Sequence, residues 1–138
     1  MKILILAMTI MLSSAWAFGS TPPEAVKKAF EKKFPDVTKV KWGKENSKTW
    51  EAEFTVNSTK LSANFSSDGT WEETESEIPV TQLPSAVTAS IEKQYPKWKI
   101  SGAAKIEYSN RDIHYEADLI SGRKKKEVVY KEDGSAVK

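Results

Sequence analysis

Residues 50–71 read WEAEFTVNSTKLSANFSSDGTW, and this stretch decides the fold. Trp50, Ala52, Phe54 and Val56 alternate with Glu51, Glu53 and Thr55. A period of two sets an apolar face against a charged one, the pattern of a half-buried strand. Asn57-Ser58-Thr59 supplies turn residues, and Leu61, Ala63 and Phe65 resume the alternation. Asp68-Gly69 turns the chain again, because glycine accepts positive φ without steric cost. The same grammar returns in Tyr115-Glu116-Ala117-Asp118-Leu119, Val128-Val129-Tyr130 and Asp133-Gly134.

Upstream of the hairpin, Thr21-Pro22-Pro23-Glu24 predicts a helix start, with Thr21 as cap, Pro22 at the first position and Glu24 closing a capping box. Val26, Phe30 and Phe34 follow at four-residue spacing and make one apolar stripe. Pro35 stops the helix, since the residue before proline is pushed out of the α region. Thr38 to Trp42 predicts a strand with Val40 and Trp42 inward. Downstream, Trp71 to Glu77 reads as a short strand or an acidic edge. A second helix carries Val87, Ile91 and Tyr95 and ends at Pro96. His114 to Ile120 and Lys124 to Tyr130 predict a second hairpin with Gly122 at its turn.

These elements form an internal repeat. Pro23, Val26, Phe30, Phe34 and Pro35 map onto Pro84, Val87, Ile91, Tyr95 and Pro96 at one offset (84 − 23 = 61). Trp50, Phe54, Phe65, Asp68 and Gly69 map onto Tyr115, Leu119, Tyr130, Asp133 and Gly134 at another (115 − 50 = 65). The change of offset places an insertion around Trp98 to Ala103, with Ile106 and Tyr108 matching Val40 and Trp42. The expected fold is α+β, a tandem repeat of a helix plus antiparallel strands sharing one sheet or core. Residues 18–79 would be the first repeat and 80–138 the second, together one compact domain.

Residues 1–17 fit a signal peptide: Lys2 as positive region, Ile3 to Leu12 as apolar region, Ala15-Trp16-Ala17 as cleavage site. The apolar run is short for a membrane span. The mature chain is expected to begin at Phe18 and to be soluble in the periplasm or outside the cell.

The aromatic-Pro helix ends (Phe34-Pro35, Tyr95-Pro96), Val40-Lys41-Trp42, Trp-Glu-Ala-Glu-Phe from Trp50, and Asn64-Phe65-x-x-Asp68-Gly69-x-Trp71 together resemble the PepSY-like, β-lactamase-inhibitor-like family of small exported bacterial proteins. The resemblance covers essentially all of the chain after residue 17. It implies a tandem α+β repeat like that of the secreted β-lactamase inhibitor protein, and binding or inhibition through surface loops. No inhibitory residue carries over, because the inhibitor's contacts lie in loops that differ here.

Composition narrows the chemistry. The chain has 138 residues, 21 basic and 19 acidic side chains, one histidine, five tryptophans and no cysteine. Near-balanced charge speaks against a nucleic-acid partner, and the missing thiols exclude disulfides and thiolate metal sites. No cofactor and no metal is expected. His114, beside Asp112 and Glu116, reads as an exposed strand-end histidine, because one histidine is a thin ligand set. Glu72, Glu73, Glu75 and Glu77 lack the spacing of a calcium loop and read as a solvated strand edge. Ser90-Ile91-Glu92-Lys93 matches a penicillin-recognising motif in four residues only, without its companion elements. Asn57 and Asn64 head formal glycosylation sequons.

Trp42 and Trp50 face the expected core. Trp71 and Trp98 lie beside turns and stand as candidate binding anchors, with Arg123, Lys124, Lys125 and Lys126 as a steering patch. The reading is a non-enzymatic exported binding module for a protein of the cell envelope, an inhibitor in its sharpest form. The alternative is an envelope stress protein that captures a small ligand, metal or anion.

Overall fold

The computed structural model describes residues 19–137. The expected signal peptide and its cleavage site, Ala15 to Phe18, lie outside the described residues. The elements run α1 (Glu24–Lys33), β1 (Val40–Lys44), β2 (Thr49–Val56), β3 (Thr59–Ser66), β4 (Trp71–Ile78), a 3₁₀ turn (Val80–Gln82), α2 (Ser85–Gln94), β5 (Lys99–Tyr108), β6 (Ile113–Ser121) and β7 (Lys124–Lys131). The fold is α+β, with a seven-stranded antiparallel sheet whose strands follow chain order. Two compact units are distinguished. One holds residues 19–77 with Ile106–Asp112, the other Ile78–Lys105 with residues 113–137.

The helix starts correct the expected capping box. Pro23 is the N-cap of α1, with φ −55° and ψ 152°, and no side chain caps the helix. The cause is the Pro-Pro pair: Pro23 forbids the helical region to Pro22, so the first helical residue is Glu24. The carbonyl of Pro23 accepts from the N–H groups of Val26 and Lys27 at 3.0 and 3.2 Å. In α2 the carbonyl of Pro84 does the same for Val87 and Thr88, at 2.9 and 3.1 Å. Both helices end on the aromatic residue before proline, Phe34 and Tyr95.

In the first unit, α1 covers one face of β1–β4. Phe30 is the hub of its core. Its ring meets Phe34, Trp42, Phe54 and Phe65 at centroid distances of 5.2, 5.3, 5.1 and 6.3 Å. Edge-to-face packing at 72° and 83° on Trp42 and Phe54 suits the ring quadrupoles. Val26, Trp50, Ala52 and Ala63 complete the buried set. In the second unit, α2 lies on Leu83, Ala103, Ala117, Leu119 and Tyr130, a largely aliphatic core.

Two further expectations change. The acidic stretch after Trp71 is a paired strand, not an edge: β4 pairs with β3 on one side, and on the other the N–H of Ser109 donates to the carbonyl of Glu72 at 2.8 Å. A register shift at Asn64/Phe65 leaves Glu72 as the extra residue of a bulge. The stretch expected to hold an insertion, Trp98 to Ala103, is mostly strand. Residues Lys99 to Ala103 lie in β5, and Ala103, not Ile106 or Tyr108, packs against α2. The helix offset of 61 therefore carries Trp42 onto Ala103 (42 + 61 = 103).

The Asp-Gly turns close each helix onto its strands. Gly69 has φ +90°, and a Cβ there would sit 2.6 Å from the carbonyl oxygen of Ala25 in the first turn of α1. Gly134 has φ +81°, and a Cβ there would overlap the carbonyl oxygen of Ala86 in α2. Gly122, at φ +59° in the β6–β7 turn, has nothing within 4 Å of such an atom. Gly122→Ala should therefore cost only the left-handed backbone term, about 1–2 kcal/mol. Gly69→Ala and Gly134→Ala should each cost at least about 1 kcal/mol more, because the helix must also retreat. Denaturant midpoints of the three variants check this, and equal losses would refute the close approach.

Candidate functional site

A two-residue loop sets the register of the outer face of β2 and β3. Asn57 and Ser58 take φ +48° and +66°, as a type I′ turn requires. The hairpin then pairs Glu51 with Asn64, and β4 adds Glu73 beside Asn64. Strand alternation turns all three away from the Phe30 core. Glu45, in the β1–β2 connection, reaches the same group. The Asn64 amide Nδ2 donates to Glu45 Oε2 at 3.2 Å and to Glu73 Oε1 at 3.1 Å. The connection is itself held by Asn46, whose Oδ1 accepts from the N–H groups of Lys48 and Thr49 at 2.8 and 3.0 Å.

Alternation marks this as the charged face of the hairpin, yet Glu51 is 8% exposed and Asn64 7%. Burial raises the Glu51 carboxyl to about 7, helped by the negative charges of Glu45, Glu53 and Glu73. Burial also raises Glu45 and Glu73, and the Asn64 hydrogen bond opposes the rise in each. The Asn64 oxygen is buried with no hydrogen-bond partner in the described structure. The buried amide of Asn64 also makes its sequon a structural residue, whereas Asn57 is exposed.

In the second unit, Glu116, Asp118 and Glu127 converge, with one ligand atom from each lying within 4.8 Å of the others. Desolvation and Asp118 raise the Glu127 carboxyl. His114, expected at an exposed strand end, is 3% exposed within β6. A shallow cleft of about 220 Å³ lies beside β7, lined in part by Gln94, Tyr95, Lys126 and Tyr130. It falls below the ~300–1,000 Å³ of ordinary ligand pockets. The Tyr130 hydroxyl donates to Gln94 Oε1 at 3.0 Å across it. Ser90, met in the sequence as part of an isolated four-residue motif, donates its hydroxyl to the Gly134 carbonyl at 2.7 Å and ties α2 to the Asp-Gly turn.

The candidate binding residues do not form one patch within their own units. Trp71 is half-buried against the Phe30 core. Its Nε1 donates to the Glu73 carbonyl at 2.8 Å and to Thr74 Oγ1 at 3.0 Å, and Lys33 Nζ lies 3.4 Å from its ring centroid. Trp98 is half-buried against the α2 core, its ring 6.5 Å from that of Tyr95. Arg123 occupies the turn, and strand alternation splits the three lysines. Lys126 Nζ lies 4.8 Å from the Tyr95 ring on the helix side, Lys124 shares that side, and Lys125 points the other way.

The outer-face acids make stability depend on pH. Glu51 binds its proton more tightly folded than unfolded. Its contribution is complete below about 4.5, the ordinary carboxylate range, and is lost as pH rises through about 7. Glu45 and Glu73 act in the same direction. Asp68, held down to about 2 by its Ser66 and Thr70 hydrogen bonds, acts oppositely and only in stronger acid. Melting temperature should therefore fall between pH 5 and pH 8. Glu51→Gln should flatten that slope and stabilise the protein at pH 8 by on the order of 2 kcal/mol, since about 1.4 kcal/mol accompanies each tenfold change in proton affinity. An unchanged slope in the variant would show that Glu51 ionises normally.

The family profile described as "Putative beta-lactamase-inhibitor-like, PepSY-like" matches residues 48–138. No curated protein matches the sequence. The fold is shared with a solved "putative periplasmic" protein of Bacteroides eggerthii, with a TM-score of 0.77, 14% identity, and coverage of 86% of this chain and 88% of that one. It is shared also with a solved "BLIP-like protein" of Bacteroides fragilis, with a TM-score of 0.69, 24% identity, and coverage of 87% and 86%. Among the described residues no helix is long and apolar enough to cross a membrane. With 91 of 138 residues under the family profile (138 − 48 + 1 = 91), the chain belongs to the PepSY-like, β-lactamase-inhibitor-like family.

Proposed function

We propose that this protein is a non-enzymatic exported binding module that acts on a protein partner in the cell envelope, in its sharpest form as an inhibitor. The observation that carries the reading is membership of an inhibitor-like family, joined to a fold shared with a BLIP-like protein. In this reading residues 1–17 are a signal peptide, and 18–79 and 80–138 are two PepSY-like repeats. Sequencing the exported protein should find Phe18 first. The paired strands give a rigid surface, which lowers the ordering cost of binding. Of the two tryptophans, Trp98 is the freer to serve as anchor, since the indole N–H of Trp71 is already engaged within its own unit. Arg123 to Lys126 act on the association rate, because exposed charges steer encounter more than they hold a complex.

A capture experiment tests this with the mature chain and its own envelope fraction. A protein partner should be recovered. Neutralising Arg123, Lys124, Lys125 and Lys126 together should slow association and flatten its salt dependence, with little change in stability. Trp98→Ala should speed dissociation by about tenfold or more if it is an anchor. A second reading, capture of a cation or other small ligand, is favoured by the convergence of Glu116, Asp118 and Glu127. Calorimetry that finds a tight small ligand, with no protein recovered, would replace the first reading by the second.

A further inference from the structure

We propose that the outer face of β2–β4 receives an arginine side chain of the protein partner, its guanidinium seated among Glu45, Glu51, Asn64 and Glu73. This rests on the reading that the module binds a protein, and it names the chemistry of one contact. Three observations carry it. None of the three carboxylates makes an ion pair with a described residue, and the lysines of the same face, Lys41 and Lys60, stand opposite Glu53 and Thr55 in the strand register. Asn64, 7% exposed, uses its Nδ2 on Glu45 and Glu73, and its Oδ1 has no partner. Reversing the amide would set that oxygen against two carboxylates, so the polarity of the group fixes its orientation. Asn64 stands between Glu51 and Glu73 in the strand register, so the unmatched oxygen belongs to a side chain flanked by carboxylates. Glu51, 8% exposed, likewise has no hydrogen bond or ion pair to a described residue. Glu45 and Glu73 are half-buried, whereas Asn64 and Glu51 are buried, and a buried acceptor is costly to leave unmatched.

The spacing selects the ligand class. A single metal ion needs ligand atoms that converge. Among the described residues the three acids that come within 4.8 Å of one another are Glu116, Asp118 and Glu127, not this group. Side chains on neighbouring strands stand about 5 Å apart, which a planar guanidinium with five donors can span. An ammonium presents three donors from one point and satisfies fewer of these acceptors at once. A bound cation also relieves the mutual repulsion of the acids and expels the proton that Glu51 holds near neutrality. Binding should therefore tighten as pH rises through about 7.

The probe is the peptide Ac-Gly-Ser-Arg-Ser-Gly-NH2, titrated into the full mature chain by NMR. The lysine and citrulline versions and calcium chloride serve as comparisons. The Asn64 side-chain amide should shift with the arginine peptide, with an affinity at least about fivefold above the lysine version, and not with citrulline. Glu51→Gln, a near-isosteric variant expected to fold, should weaken binding about tenfold and remove its pH dependence. Equal binding of the arginine and lysine peptides, or no effect of Glu51→Gln, overturns the proposal. Calcium shifting the Asn64 amide where the peptide does not overturns it in favour of a metal site. The two readings fail separately. A captured partner that binds the Glu51→Gln chain as well as the parent refutes the arginine contact and leaves the binding module standing. Arginine-specific titration with no captured partner does the reverse.

Discussion

The close approach of an Asp-Gly turn to the first turn of a helix is the constraint on which the rest of each unit depends. In the first unit Gly69 meets the Ala25 carbonyl, and in the second Gly134 meets the Ala86 carbonyl. A side chain at either position would lift the helix from the strands it covers. The turn is rigid enough to impose this approach. Asp68 Oδ1 accepts from the Thr70 N–H, and Asp133 Oδ1 from the Ser135 N–H, each at 2.9 Å. Once the helix start is fixed, its stripe falls on the sheet. Phe30 then reaches Phe54 and Phe65 in one unit, and Val87 and Ile91 join Leu119 and Tyr130 in the other. Burying side chains of this size yields about 1.5–3 kcal/mol each, so a displaced helix forfeits several such terms at once.

The two faces of β2–β4 answer to different demands. The helix side is apolar and interlocked, as packing alone requires. The outer side carries three carboxylates around a buried amide, an arrangement that self-repulsion and desolvation both oppose. Folding would be better served there by a neutral pair. Departures from local consistency of this kind concentrate at functional positions, where a partner restores the balance. The helix side shows the contrasting treatment of charge. Lys33 and Lys44 spread over the Trp71 and Trp50 rings, and Lys126 over Tyr95, so each cation lies on an aromatic face.

Much of the fold was legible in the sequence because it is written in local periods. The four-residue spacing of Val26, Phe30 and Phe34 gave the face of α1, and the alternation from Trp50 to Phe65 gave the facing of β2 and β3. What stayed hidden depends on neighbours distant in the chain. Glu72 to Glu77 holds only glutamates, Thr74 and Ser76, so its pairing to β3 leaves no hydrophobic trace. The outer face of a strand is recognisable from alternation, but whether it is wet depends on the side chains beside it, which is why the burial of Glu51, and of His114 where an exposed histidine was expected, left no mark in the sequence. The acid–amide row turned on a single residue. A turn of Asn57-Ser58-Thr59 leaves the register open, whereas a two-residue turn at Asn57-Ser58 sets Glu51 opposite Asn64.

Net charge illustrates the same limit from another side. The chain has 21 basic and 19 acidic side chains, and an average near zero argues against a strongly charged partner. The average conceals a partial segregation within the first unit. Lys27, Lys28, Lys32 and Lys33 outnumber Glu24 and Glu31 on α1, and Glu45, Glu51 and Glu73 gather on the opposite side of the strands, where Lys41 and Lys60 stand opposite Glu53 and Thr55. A field set by such a distribution acts over about 8–10 Å at physiological ionic strength, so an approaching surface meets one face and not the sum. Composition excludes a partner that must contact the whole molecule with one sign of charge. It leaves open a partner that reads a single face, and the face with unmatched acceptors is the acidic one.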